Sequence, residues 1–277
     1  MKSKSIILSV FLCATLLLSG CGSGDDSKDL PAGSTESKTI SSSAKSSSGF
    51  SKISDMADAW NAAYELNEAA INDYEDMPIL ELVTPGTAFI TGVQYELLNL
   101  DNKDGRFEGK LMMAGYPAFI EKDDKKLVFG YDYVRDKNGL APSMLAGDRI
   151  VENGSFLMDK EYYSSEKFTE RDGQKIDRNY SEFKRLKDGS MICFDISGSS
   201  LNSQGDAKIA NKIIFIRTGQ DRFEFVIGTA ATGPEFAKLS LADKNDLNKE
   251  QAKKMFTEAG YTIEKTGGVK DGKLVVD

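Results

Sequence analysis

From Ile53 to Tyr74 the apolar residues recur at helical spacing. Ile53, Met56, Ala57, Trp60, Tyr64, Ala70, Ile71 and Tyr74 share one face. The spacing predicts an amphipathic helix that Pro78 ends, with Ser54 as its cap and Asp55 and Asp58 suited to the positive end. Trp60, the only tryptophan, reads as a core anchor of that helix rather than a ligand-stacking surface.

From Ile79 to Thr229 the pattern changes to strand-like runs alternating with turn signals. The predicted strands are Ile79–Val83, Ala88–Leu100, Arg106–Ala114, Ala118–Lys122, Lys126–Val134, Arg149–Val151, Phe156–Tyr163, Lys167–Glu170, Gln174–Leu186, Met191–Ser197, Ala207–Arg217 and Arg222–Thr229. Between them stand Lys103-Asp104-Gly105, Lys137-Asn138-Gly139, Asn153-Gly154, Asp172-Gly173, Asp188-Gly189 and Gly219-Gln220-Asp221. Asn-Gly and Asp-Gly accept positive φ cheaply and favour hairpins. Connections this short require antiparallel neighbours, so the prediction is one long antiparallel meander. Ile192/Phe194/Ile196, Phe223/Phe225/Ile227 and Leu127/Phe129/Tyr131/Tyr133 alternate, which predicts one buried and one wetter face. Ile213-Ile214-Phe215-Ile216 is apolar on both faces, as a central strand would be.

Beyond Leu241 the pattern predicts a helix over Lys249–Ala259, opened by an Asn248/Gln251 capping box and ended by Gly260. Tyr261–Lys265 and Lys273–Val276 follow as strands around Gly267-Gly268 and Asp271-Gly272. The expected fold is therefore α+β: a long antiparallel meander, as a curved sheet or half-barrel, with an N-terminal amphipathic helix and a small C-terminal helix-hairpin.

The first residues follow a different logic. Lys2 and Lys4 precede an apolar run from Ile6 to Leu18, and the run ends in Leu18-Ser19-Gly20-Cys21. These are the parts of a secretory signal peptide. The tetrapeptide resembles the bacterial lipoprotein lipobox. That resemblance implies cleavage before Cys21, lipidation of Cys21 and acylation of its new amine. Each buried CH₂ adds about 0.8 kcal/mol, and two or more chains anchor where one does not. The apolar run of about 13 residues is too short for the roughly 20 that a membrane span needs. From Gly22 to Gly49 the chain is Ser-rich and lacks aromatics. Such composition cannot offset its own ordering entropy and reads as a flexible tether. The expected organisation is a signal peptide over 1–20, lipidated Cys21 with a Ser-rich linker over 21–50, a β domain with its N-terminal helix over 51–240, and the C-terminal helix and hairpin over 241–277.

Charge and composition then narrow the function. With 35 basic and 43 acidic residues the net charge is -8, and loss of Lys2 and Lys4 with the leader makes it more acidic. An acidic chain argues against nucleic acid as a partner and against an electrostatic hold on anionic lipid. Of the three cysteines, Cys13 leaves with the leader and Cys21 is lipidated. Cys193 is left alone in an apolar run, as a buried inert thiol rather than a nucleophile. Histidine is absent, which removes the commonest general base and the commonest zinc ligand.

Other clusters carry little chemistry. Asp101, Asp104 and Glu108 resemble a calcium loop in composition but not in spacing, and a hairpin turn explains them. Asp243, Asn245 and Asp246 read as a loop before a helix. Asp159, Glu161, Tyr162 and Tyr163 read as a strand face, not as paired acid–base groups. Gly228–Gly233 and Gly267-Gly268 lack nucleotide-loop spacing. Met112-Met113, Met144-Leu145 and Met158 are soft apolar matter suited to core filling or an adaptable pocket. No cofactor and no metal is expected.

The layout is similar to the periplasmic lipoprotein-carrier fold, in which a curved half-barrel covers an apolar groove with helices. The resemblance is architectural, and it implies a groove for acyl chains. The expectation is a lipid-anchored extracytoplasmic lipoprotein that binds an apolar ligand without catalysis. A protein-interaction module of the cell envelope is the alternative, and an envelope hydrolase is disfavoured.

Overall fold

The computed structural model describes residues 49–72, 104–110, 117–202, 204–230 and 239–277. The leader, Cys21, the linker up to Ser48, Tyr74, Pro78, the Ile79–Val83 and Ala88–Leu100 runs, Asp101, Met112-Met113 and residues 231–233 lie outside them.

The described strands form one open sheet in strict sequence order. They are β1 Gly105–Lys110, β2 Pro117–Lys122, β3 Lys126–Val134, β4 Arg149–Leu157, β5 Tyr162–Arg171, β6 Gln174–Arg185, β7 Met191–Leu201, β8 Ala207–Gly219, β9 Arg222–Thr229, β10 Thr262–Lys270 and β11 Lys273–Val276. Every neighbouring pair is antiparallel. The α+β meander follows from the turns: Asp172 and Asp221 take φ of 52° and 55°, and Gly173 and Gly189 take 75° and 84°. Such positive φ is what tight reversals between twisted strands require.

Two glycine signals mean something other than a turn. β4 runs straight through Asn153-Gly154 because Gly154 faces Phe129 on β3. A Cβ at 154 would collide with the Phe129 ring, so glycine here admits a cross-strand aromatic. The chain reverses later, at a 3₁₀ turn over Met158–Lys160 closed by Glu161 at φ 45°. The predicted strand Phe156–Tyr163 is thus split in two. Gly267-Gly268 likewise lies within β10, where a Cβ would meet the Val275 and Phe223 carbonyls. The turn of that hairpin is Asp271-Gly272, at φ 51° and 73°.

α1 spans Ile53–Asn72. Its start is held by Asp55 rather than Ser54: the Asp55 carboxylate accepts from the Ser51 and Lys52 N–H groups at 3.0 and 3.2 Å. α2 spans Lys249–Glu258 and carries the predicted Asn248/Gln251 capping box.

The sheet buries both faces over β6–β9, which corrects the expectation of one wetter face. On the first face α1 packs, with Trp60 edge-on to Phe183 at 5.0 Å between ring centres. Met56, Ile71, Cys193, Ile216 and Phe225 fill the same core. On the second face α2 packs, with Phe256 5.4 Å from Phe194. Ile192, Phe215, Leu241 and Leu247 join them there. The Ile213–Ile216 run sends alternate side chains into each core, as its double apolarity predicts.

Candidate functional site

In an antiparallel sheet, directly opposed residues share a face. Register therefore assembles a row across the first face: Tyr131, Glu152, Lys167, Asn179, Ser197 and Lys212, from β3 to β8. Two residues along each strand, Ser165, Ser181 and Asp195 form a second polar row. The next row is apolar: Phe156, Tyr163, Phe183, Cys193, Ile216 and Phe225. α1 sits at that apolar end. Its Ala63 carbonyl accepts from Thr218 Oγ1 at 2.8 Å, and Asn67 Nδ2 donates to the Gly219 carbonyl at 3.1 Å. The polar rows lie toward the other end, where the loop after β3 and the β5–β6 and β7–β8 turns cluster.

Glu152 is buried, Asp195 and Asp177 are half-buried, and Lys167 and Asn179 are exposed. Ser165 Oγ donates to Glu152 at 3.1 Å, and Ser181 Oγ donates to Asp195 at 2.8 Å. Burial pushes Glu152 above the usual carboxylate range, against the pull of Lys167 and the hydrogen bonds from Tyr131 and Ser165. Burial likewise pushes Asp195 up to about 6, with the Ser181 hydroxyl opposing. Asp177 is also raised by burial, and the Lys167 charge acts on it from the other side. Burial thus holds the proton on both carboxyls to higher pH than on a free carboxyl, and polar groups perturbed this way cluster at functional sites.

The second face uses its charges differently. Glu182 is fully buried and accepts from the Tyr162 and Tyr180 hydroxyls and, at 2.6 Å, from the Leu241 N–H. Lys184 Nζ donates to the Ala242 carbonyl at 2.6 Å, and burial pulls its ammonium pKa down. Arg217 donates to Asp188 at 2.6 Å, to Asp246 at 2.8 Å and to the Leu247 carbonyl at 3.0 Å. Although burial raises Asp188, its bonds from Ser190 and Arg217 hold it at about 2. All three ties hold the segment before α2 against the sheet.

The residues singled out in the sequence do not converge. Cys21 and Asp101 lie outside the described residues. Glu108 pairs with Arg106 at 3.1 Å. Tyr162 and Tyr163 enter opposite cores. Asp243 pairs with Lys160 at 2.9 Å, and Asp246 serves the Arg217 tie. Burial drives the Cys193 thiol well above its ordinary pKa. Met144 and Leu145 are exposed on a loop, which corrects their reading as core or pocket filling. Among the described residues no group of acidic or cysteine side chains is arranged to hold a metal ion. An open recess of about 430 Å³ lies beside Lys249, Gly268 and Asp277, with polar and apolar walls. No helix among the described residues is long and apolar enough to cross a membrane.

Glu152 and Asp195 did leave a signal in the sequence. Asp195 continues the phase of Met191 and Cys193, and Glu152 that of Ile150 and Phe156. Each is a carboxylate on the apolar alternation. Comparison with known proteins finds no matching family model, no matching curated protein and no matching solved structure.

Proposed function

We propose that the chain is a lipoprotein held to the extracytoplasmic face of the cell membrane through acylated Cys21, and that its folded domain binds an apolar, lipid-like ligand without catalysis. One observation carries the ligand reading. The first face sets two raised-pKa carboxyls, Glu152 and Asp195, beside a continuous apolar row. That juxtaposition suits an amphiphile whose head rests on the polar rows; α1 closes the apolar row, so the chain of such a ligand enters only where α1 yields. The half-barrel form of the meander belongs to the same reading.

The test has two arms. Titrate the purified domain with a fluorescent fatty acid, and extract the purified protein for lipid by mass spectrometry. Saturable binding that weakens in Glu152→Ala is the expected result. Absence of both saturable binding and retained lipid removes the ligand and leaves the envelope interaction module. For the anchor, Cys21→Ser is expected to move the protein from the membrane to the soluble fraction. A variant that stays membrane-bound like wild type removes the anchor.

A further inference from the structure

Four of the six large apolar side chains exposed among the described residues sit together at the end of β3 and in the loop that leads to β4. Val134 is 59% exposed, Leu140 91%, Met144 43% and Leu145 39%. Single exposed leucines need no explanation, whereas a cluster does. Residues 138–147 carry no charge, and Arg135, Asp136 and Lys137 precede them.

The loop is held in shape. Arg171 on β5 donates to both carboxylate oxygens of Asp148, at 2.7 and 2.9 Å, and to the Ser143 carbonyl at 2.7 Å. The Gly139 N–H donates to the Met144 carbonyl at 2.9 Å, and Asn138 Oδ1 accepts from the Ala146 N–H at 2.8 Å. Its ordering entropy is already lost on folding, so Leu140 is presented outward before anything binds it.

The loop stands at the opposite pole from the point where the chain enters the domain. Gly49 lies beside Glu161 and the Met158 carbonyl, at the turn after β4, while the loop precedes β4. The length of β4 separates the two poles, about 30 Å at the usual strand rise.

We propose that this loop is a membrane-contact surface, with Leu140, Met144 and Leu145 entering the bilayer that holds the chain's own anchor. The proposal rests on the anchor reading. The Ser-rich composition of residues 22–48 predicts a chain whose r.m.s. span as a coil is about 26–31 Å, close to the length of β4, which lets the far pole reach the same bilayer. The patch is too small to gather a soluble partner, because a stable protein interface needs roughly 20–30 residues a side. A bilayer tethered to the same chain is already present at an effective concentration in the millimolar range, where shallow insertion of a few side chains suffices. Exposed Lys137 suits the zwitterionic headgroup layer beside them.

The test uses the full acylated chain in phosphatidylcholine vesicles. Ser143→Cys carries an environment-sensitive fluorophore in the loop, and Lys187→Cys carries it in the β6–β7 turn at the other pole. Nitroxide-labelled lipid is expected to quench the loop probe several-fold more than the turn probe. Leu140→Asp is expected to remove that difference without changing the melting curve. Equal quenching at the two poles, with Cys21 acylated by mass spectrometry, overturns the loop proposal and leaves the anchor standing. An unacylated Cys21 overturns the anchor reading and this proposal with it. A loop probe that lipid leaves unquenched but that crosslinks to one protein in whole membranes also overturns it, in favour of a protein partner.

Discussion

The two faces of the sheet bury charge for different ends. On the second face three buried ions reach out of the sheet: Glu182 to the Leu241 N–H, Lys184 to the Ala242 carbonyl, Arg217 to the Leu247 carbonyl, while Arg178 pairs within it with Glu166. On the first face, Glu152 and Asp195 are held by hydroxyls of their own sheet, from Ser165 and Ser181. A buried charge that fastens backbone is part of the fold. A buried carboxyl whose hydrogen-bond partners are sheet hydroxyls stabilises nothing beyond itself, and it can be changed without loosening another element.

The sharpest way to break that contrast is Glu182→Ala. It strands two tyrosine hydroxyls and the Leu241 N–H away from water, and the expected loss is about 3–5 kcal/mol. Urea unfolding measures it. A loss under about 1 kcal/mol means that the tie does not hold the segment.

Asp195→Asn is expected to act in the opposite direction. Asp195 is raised by burial from 3.8 to about 6, so the folded state binds the proton more tightly than the unfolded one. Its contribution is fully present below about pH 4 and is lost as pH rises through 6. At pH 7 the ionised carboxyl is a burden. After allowance for its partial solvent contact, the asparagine variant should be more stable by about 2 kcal/mol. The two proteins should converge near pH 4. Melting curves across that window decide it, and a variant less stable than wild type at pH 7 places Asp195 among the structural ties.

Gly154→Ala tests the register of the first face. Its Cβ meets the Phe129 ring, and the expected loss is about 1–3 kcal/mol. Recovery in Gly154→Ala combined with Phe129→Leu, measured as a double-mutant cycle, identifies the collision as the cause. The smallest effect belongs to Leu140→Asp, expected within about 0.5 kcal/mol of wild type because the side chain already faces water.

Much of the meander was legible because period-2 alternation and Asp-Gly turns are local signals. Lys126–Val134 and Arg222–Thr229 are predicted with the observed boundaries. The errors fall where a glycine answers to another strand. Gly154 and Gly267 look like turn residues until Phe129 and the Val275 carbonyl are brought beside them. The ties of the second face were missed for the same reason: Glu182 and Leu241 are 59 positions apart, and no local pattern joins them. The second core was announced by Ile213–Ile216, whereas Ile192, Phe194 and Ile196 belong to it although their alternation reads as that of a sheet with a single buried face.

The sequence-ordered sheet also bears on how the chain folds. Each strand pairs only with its neighbours in sequence, so the meander zips up through small loop closures. α1 is different. Its Ala63 carbonyl bonds Thr218, 155 positions later. In a chain emerging N-terminus first, α1 is among the earliest folded-domain segments to appear, yet the core it packs into is completed only when β10 and β11 arrive with Val269 and Leu274. Until then its apolar stripe stands open to water and to other chains. The first helix made is the last one housed, and that interval is where a shielding factor would have the most to do.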